Sequence, residues 1–324
     1  MTPNRIDGVL VEWGDRLFYA PNRMVHSRTP PVGGTALHAR ANAVRQRIHA
    51  AVVRHAPQVM VKVTGGGRGM GAIAAHLRYI SKSGRLPFED DRGVVRDGPE
   101  ALRDLVDQWR CGGGRIPERS ERREAFNIML SMPAGTKPEI VRNAAREFAK
   151  AELANHRYAM VLHTHQANPH VHLAVRAEGR DGKRLNPRKQ DLRRWREVFA
   201  EKLRGWGIEA EASPRVTRGS RHHNERLWER KAREQGRVTA TGKGNDAKLT
   251  PARRHAALAW CEIAKALASS DEPADRELGR AVVEHARWLP GVRYKPPEKQ
   301  PQRELPGLER TQTQRTRPEP GWER

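Results

Sequence analysis

Apolar positions between about residues 57 and 230 follow two spacings in turn, one typical of strands and one typical of helices. Two short apolar runs, Val59–Val63 and Phe126–Met132, end near glycine or proline and are predicted strands. The segment AIAAHLRYISKSG repeats apolar residues every three or four positions, which predicts a helix, and Gly84 lies where a C-terminal glycine is expected. Strands and helices therefore alternate along this part of the chain.

Two β-rich segments, YAMVLHTH and PHVHLAVRAE, have only the turn QANP between them. Strands joined by so short a connection pair antiparallel, so we expect an α+β fold with a central antiparallel sheet and helices packed on it. Further helices are predicted at Leu37–His55, Asp90–Cys111, Lys137–His156, Lys189–Trp206, Pro251–Leu267 and Asp275–Trp288. Thr136 is expected to cap the third of these, with Pro138 in its first turn.

Composition divides the chain into four parts. Residues 1–56 form a basic N-terminal extension, and residues 57–230 hold the alternating strands and helices of the core domain. Residues 231–289 are predicted to be a helical C-terminal region. The tail, residues 290–324, is rich in proline and glutamine and is predicted to be disordered.

The charge is strongly positive, because 61 lysines and arginines stand against 38 acidic residues for a formal net charge of +23. Such a charge favours a polyanionic partner, but alone it does not separate DNA from RNA or from an anionic membrane. No stretch approaches about 20 consecutive apolar residues, so membrane insertion is not expected. The first residues lack a secretory pattern and Cys111 and Cys261 are too few for a disulfide framework, so a reducing cytoplasm is expected.

Four of the 14 histidines lie in one decapeptide, HTHQANPHVH. Strand side chains alternate between faces, so His170 and His172 share a face, and His163 and His165 are expected to share one on the preceding strand. The hairpin can then bring three imidazoles together, which suits a divalent transition metal with open positions for substrate. The competing interpretation is a set of surface or core histidines with no ligand. The adjacent pair His222–His223 lies in a basic loop, where phosphate contact or simple solvation is expected.

A metal beside a basic surface suggests phosphodiester chemistry, which needs an attacking group. The chain has four tyrosines, and Tyr79 lies on the helix that follows a strand and a glycine-rich turn. Its neighbours Arg78 and Lys82 would favour the phenolate form. Taken alone, a tyrosine on an amphipathic helix more often serves packing.

Three segments of the chain now resemble a known family. KVTGGGRGMGAIAAHLRYISKSGRL, FNIMLSMPAGT and HTHQANPHVHLAV are similar, in this order, to the three motifs of conjugative relaxases. The similarity is to the mobilisation nucleases of the MobP, VirD2-like class within the HUH endonuclease superfamily, over about residues 58–215. The resemblance implies an antiparallel sheet with the histidine strands at its centre, and it makes residues 57–230 the catalytic domain.

In this family a tyrosine attacks one DNA strand at the nic site of a transfer origin and leaves a 5′-phosphotyrosyl link and a free 3′-hydroxyl. The resemblance implies that Tyr79 is the nucleophile and that Mg²⁺ or Mn²⁺ bound by His163, His170 and His172 polarises the phosphate. The family usually has an acidic residue at the position of His165. We therefore expect a catalytic role for His165, which can accept a proton but supplies no negative charge.

The remaining candidate residues concern DNA contacts. Arg68, Arg78 and Lys82 are expected to contact the phosphate backbone, against the alternative of ordinary solvated charge. The predicted helix near Lys189–Trp206 is expected to pack its apolar side into the core, which leaves arginines such as Arg188 and Arg194 for DNA.

Two smaller motifs have structural alternatives. Gly65–Gly67 permit close approach to a phosphate or to the sheet, and turn geometry explains them equally well. Ser131 matches the second motif but is also typical of a strand end.

The resemblance implies partners: single-stranded origin DNA, accessory relaxosome proteins and a type IV coupling protein, for which the tail could be a secretion signal. A bacterial cytoplasmic protein is implied, with translocation into a recipient cell alongside the DNA. No GxxxxGK[ST] motif occurs, so strand separation is expected to need another enzyme. Three other functions are alternatives. A rolling-circle replication initiator is disfavoured because Tyr79 precedes the histidines in the chain. The other two are a non-enzymatic DNA-binding protein with a structural metal and a metal-dependent phosphodiesterase that activates water.

Overall fold

The computed structural model describes residues 3–18, 34–214, 217–218, 236, 250–287 and 289. The predicted disordered tail, the His222–His223 pair and most of residues 219–249 lie outside the described residues. Within these ranges, each helix is too short or too polar to span a bilayer.

A six-stranded sheet with wholly antiparallel pairing forms the centre of the core domain. Its strands are β1 Met60–Gly65, β2 Phe88–Asp90, β3 Val95–Arg96, β4 Ala125–Ser131, β5 His156–His163 and β6 His170–Gly179. Their order across the sheet is β1-β4-β6-β5-β2-β3, so the histidine-bearing hairpin β5–β6 is central. The predicted α+β fold with a central antiparallel sheet is confirmed.

Eight helices belong to the described part of the chain. They are α1 Pro3–Phe18, α2 Thr35–Val52, α3 Met70–Ile80, α4 Pro99–Cys111, α5 Pro138–Glu152, α6 Lys189–Gly205, α7 Pro251–Ala268 and α8 Pro273–Arg287. Most of the predicted helices are present, with ends shifted by a few residues.

The two faces of the sheet are covered by different helix pairs, because side chains alternate along each strand. On β6, Val171, Leu173 and Val175 point into a core shared with α5 and α6, where Phe148 packs edge-on against Trp195. The residues between them belong to the other face. There α3 and α4 pack over the centre of the sheet.

A second core is built by helices from both ends of the chain. Helices α1, α2, α7 and α8 bury their apolar sides against one another, with Phe18 edge-on to Trp260 at 6.1 Å between ring centroids. The basic N-terminal extension and the helical C-terminal region thus share one core. The four-part division of the chain itself stays a prediction.

Three local features differ from the sequence-based expectations. Helix α1 has no counterpart among the predicted helices, and the predicted helix at Asp90–Cys111 is preceded by the hairpin β2–β3 and begins only at Pro99. The Asp90 carboxylate makes this hairpin turn tight by accepting two backbone N–H groups, each at 3.0 Å. Thr136 does not cap α5, because its hydroxyl donates to the Pro133 carbonyl at 2.9 Å.

Candidate active site

Three imidazoles meet where the central hairpin begins and ends. His163 is the last residue of β5 and pairs with His170, the first residue of β6, while His172 pairs with Val161. Paired residues of neighbouring strands share a face, so all three rings project to the side covered by α3. One nitrogen from each ring lies within 4.8 Å of the other two.

Backbone carbonyls determine which nitrogen of two of these rings is free. His163 Nε2 lies 2.6 Å from the Ile80 carbonyl oxygen, and His170 Nδ1 lies 2.9 Å from that of Asn168. A carbonyl only accepts, so these nitrogens carry the protons, and His163 Nδ1 and His170 Nε2 keep lone pairs. Such outer contacts orient metal-binding imidazoles.

Two of the rings, His163 and His172, have lowered pKa values, which favours the neutral form that binds a cation. Burial lowers the pKa of His163, and burial together with the neighbouring imidazoles lowers the pKa of His172 to about 3. His172 Nδ1 is buried and has no hydrogen-bond partner among the described residues. Three imidazoles with converging nitrogens fit a divalent cation, and the set leaves coordination positions open.

Tyr79 shares a cleft with these histidines. It lies in the last turn of α3 and is 72% exposed, although the helix itself packs against the sheet. An open cleft of about 330 Å³ brings the phenol together with the cations and the imidazoles. Its lining includes Arg78, Tyr79, Lys82, His163, His165, His170 and His172.

A left-handed turn directs the chain after Tyr79. Lys82 and Ser83 have φ angles of 49° and 61°, a region that non-glycine residues rarely adopt, and Gly84 follows at 87°. The buried Ser81 hydroxyl stabilises the turn, because it donates to the Leu77 carbonyl at 2.8 Å and accepts the Gly84 N–H at 3.1 Å. Lys82 is thereby held in the cleft lining.

His165 lies beyond the end of β5 rather than on it. The expectation that it shares a strand face with His163 is wrong, because the strand ends at His163 and the loop begins at the next residue. The exposed His165 ring lies 5.0 Å from that of His163 and 6.2 Å from that of His170. It stands at the mouth of the cleft, outside the triad.

A further histidine, His76, joins the site and is absent from the sequence-based candidates. Its ring lies 6.4 Å from that of Tyr79 at an interplanar angle of 29°, and 6.5 Å from that of His172 at 78°. Burial lowers the pKa of His76. The sequence HLRY could have indicated the contact between His76 and Tyr79, since residues three apart on a helix are neighbours.

The structure separates the candidate DNA contacts into two groups. Arg78 and Lys82 line the cleft, and Arg68 is exposed in the glycine-rich turn before α3. Arg188 and Arg194 belong to the α6 layer on the opposite face of the sheet. Arg194 also pairs with Glu152 at 2.9 Å.

The glycine-rich turn is required for packing against the sheet. A Cβ on Gly66 would lie 2.3 Å from the Ala125 carbonyl oxygen, and one on Gly67 would lie 2.5 Å from Ile73 Cγ1. Packing alone therefore explains why glycine is needed at these two positions, without any contact to a phosphate. Ser131 is buried, and its hydroxyl donates to the Pro169 carbonyl at 3.3 Å, which is also a structural role.

Comparison with known families adds the identity of this core. Residues 97–208 match the family model described as relaxase, MobA/VirD2-like, nuclease domain. The matched range contains β4, β5 and β6 with the histidine triad, whereas α3 with Tyr79 precedes it. Among curated proteins, none matches the chain. The resemblance is confirmed for the part of the chain that holds the second and third motifs: residues 97–208 match a MobA/VirD2-like relaxase nuclease domain, the domain of a family of DNA-nicking enzymes.

Proposed function

We propose that this relaxase nicks one strand of DNA at a transfer origin by transesterification, with Tyr79 as the nucleophile. The observation that carries the proposal is the shared cleft: an exposed phenol, three cationic side chains and four imidazoles line one open cavity. A tyrosine serving only packing would be buried.

The reaction exchanges one phosphodiester for another. The Tyr79 oxygen attacks the scissile phosphorus, the bond from phosphorus to the 3′ oxygen breaks, and the 5′ phosphate stays attached to the tyrosine. The phenolic proton passes to a base, and the departing 3′ oxygen takes up a proton to become a hydroxyl. Because the phosphotyrosyl bond keeps the phosphate activated, the 3′-hydroxyl can attack it later and rejoin the strand.

Arg78 and Lys82 supply fixed positive charge beside Tyr79. They can hold the phosphate in place and offset the negative charge that develops on its oxygens. His165, at the mouth of the cleft, stays our candidate for proton transfer. His163, His170 and His172 would hold a divalent cation, which when bound would supply Lewis acidity toward the phosphate oxygens.

The donor set bears on which cation is used. Mg²⁺ prefers oxygen ligands, whereas imidazole nitrogen suits transition metals. We therefore expect Mn²⁺ to bind more tightly than Mg²⁺ and to support nicking at lower concentration.

The decisive experiment is a denaturing gel of labelled single-stranded DNA from the gene's own transfer origin, incubated with Mn²⁺ and the full chain. We expect wild type to give a slowly migrating protein–DNA adduct that Tyr79→Phe and His170→Ala abolish. Tyr158→Phe is the matched control, because Tyr158 packs into the opposite core and burial raises its pKa to about 12.

The other functions predict different gels. Cleavage by Tyr79→Phe without an adduct would indicate a phosphodiesterase that activates water. Binding without any cleavage by wild type would favour a DNA-binding accessory protein. An adduct that survives in Tyr79→Phe would place the nucleophile elsewhere.

The partners and location of the protein follow from this function. Single-stranded origin DNA is the direct ligand, and the net charge of +23 favours it. Accessory relaxosome proteins would expose that strand, and a type IV coupling protein would carry the adduct from the bacterial cytoplasm toward a recipient cell.

A further inference from the structure

Two buried ring nitrogens at the site, one in the histidine triad and one beside it, lack a hydrogen-bond partner among the described residues. His76 Nε2 and His172 Nδ1 are both buried, and neither has a hydrogen-bond partner within the described ranges. Buried polar side-chain atoms nearly always have one, because leaving them unpaired costs free energy. The two rings face each other nearly edge-on, with 6.5 Å between centroids.

We infer that His76 is a positioning residue that orients the ring of His172 through one bridging water, which accepts the Nδ1–H of His172 and donates to His76 Nε2, when His172 binds the cation through its own Nε2. At the observed separation the rings are too far apart for a direct hydrogen bond of about 3 Å, and one bridging water fits the span. The inference rests on the proposed function for the identity of the cation site.

The other two ligand rings support this assignment by contrast. His163 and His170 each donate to a backbone carbonyl, which sets their orientation. His172 has no such carbonyl, so its orientation depends on whatever lies beside Nδ1. His76 is the imidazole outside the triad whose ring lies near that of His172, whereas His165 lies beside His163 and His170.

His76 also contacts the nucleophile. Its ring stacks on Tyr79 one helical turn away, with the rings 29° from parallel. One side chain of α3 thus touches both the attacking phenol and a cation ligand. His76 therefore links the placement of the nucleophile to the presence of the cation.

The test measures Mn²⁺ affinity of the full chain without DNA, by titration against a metal-responsive dye. We compare wild type, His76→Phe, which removes the acceptor, and His76→Gln, which keeps a polar acceptor. His76→Phe is expected to weaken Mn²⁺ binding about 10-fold or more, the usual effect of losing an outer contact, and His76→Gln to restore most of it. His49→Phe, an exposed histidine on α2, is the matched control and should bind like wild type.

Each outcome has one meaning. Wild-type affinity in His76→Phe would overturn the inference, and so would equal weakening in His76→Gln and His76→Phe, because the glutamine keeps a hydrogen-bond acceptor and the phenylalanine has none. If wild type binds Mn²⁺ no better than His170→Ala, the cation site itself fails, and the inference with it. Thermal melting of the metal-free proteins checks folding, and His76→Leu repeats the comparison at smaller volume should His76→Phe unfold.

Discussion

The histidines of the hairpin differ in what surrounds them. His163 and His170 are buried and donate to backbone carbonyls, so their free nitrogens point to a common centre. His165 is exposed in the loop and contributes no nitrogen to the triad. Three rings therefore have the surroundings of ligands and the fourth has those of a solvent-facing side chain.

This difference predicts unequal effects on cation binding. His170→Ala should weaken Mn²⁺ binding by more than about 100-fold, because it removes a ligand and not just an outer contact. His165→Ala should leave the affinity close to that of wild type. Calorimetric titration of both variants checks this, and a comparable loss in His165→Ala would mean that four imidazoles take part.

The glycine-rich turn offers a matched pair of substitutions. Gly66→Ala should lower the free energy of unfolding by about 2 kcal/mol, because the new Cβ meets a backbone carbonyl that cannot move away freely. Gly65→Ala should cost less than about 0.5 kcal/mol, since the nearest atom, Asn127 Nδ2, is 3.7 Å away. Urea unfolding measures both. Equal losses would point to a role of the turn other than packing.

At the scale of elements, the sequence predicts best those helices and strands whose pattern of apolar residues repeats over many positions. Strand alternation and a short turn suffice to place His163, His170 and His172 on one face of a hairpin. The pattern does not indicate that β5 ends at His163, so the sequence analysis wrongly puts His165 on that strand. The contact of His76 with His172 depends on how α3 packs on the sheet, which no local pattern contains.

Three elements escape prediction for physical reasons. Helix α1 contains Gly8 and Gly14, which disfavour a helix, yet a Cβ on Gly14 would lie 2.5 Å from Val44 Cγ1. This glycine permits close packing against α2, which only the tertiary structure reveals. The strands β2 and β3 have three and two residues, too few for a periodic signal.

Basic residues on the two faces of the sheet are expected to contribute differently to DNA binding, because the cleft lies on one face only. Lys82→Gln should weaken single-stranded DNA binding and lower the slope of log affinity against log salt by about 0.7, the effect of one lost phosphate contact. Arg194→Gln should change both little, because Arg194 lies on the opposite layer and already pairs with Glu152. Fluorescence anisotropy across a salt series, in EDTA, separates the two. An equal reduction of the salt slope in both variants would indicate that DNA contacts both faces of the sheet.

At the scale of the whole molecule, a polar network ties the two N-terminal helices α1 and α2 to helix α8. Arg45 on α2 donates to both carboxylate oxygens of Asp275 on α8, at 2.8 and 2.9 Å, and to Asp7 on α1 at 2.8 Å. Ser270 donates to Asp275 at 2.9 Å. Because both carboxylates are buried, the network ties three helices that are distant in sequence.

Removing Arg45 should therefore loosen the helical core without touching the cleft. Arg45→Met leaves two buried carboxylates without their cation and should lower the free energy of unfolding by about 3 kcal/mol at pH 7. Arg16→Met, which breaks an exposed pair with Glu12 on α1, should cost less than about 1 kcal/mol. Urea unfolding of wild type and both variants gives the comparison.

The loss in Arg45→Met should also depend on pH in a defined direction. Burial alone would raise the pKa of Asp275, but the hydrogen bonds from Arg45 and Ser270 outweigh it and hold the pKa below the ordinary 3.8. A carboxylate with a lowered pKa stabilises the fold fully above its unfolded value, and this contribution is lost as pH falls through the folded value. Without Arg45, burial raises the pKa of Asp275 in the variant, so the difference between wild type and Arg45→Met should be largest near pH 7 and should shrink as the pH falls through the range between the raised pKa of the variant and the lowered pKa of wild type. A difference that stayed constant down to pH 3 would mean that Arg45 stabilises the core through packing of its side chain and not through its charge.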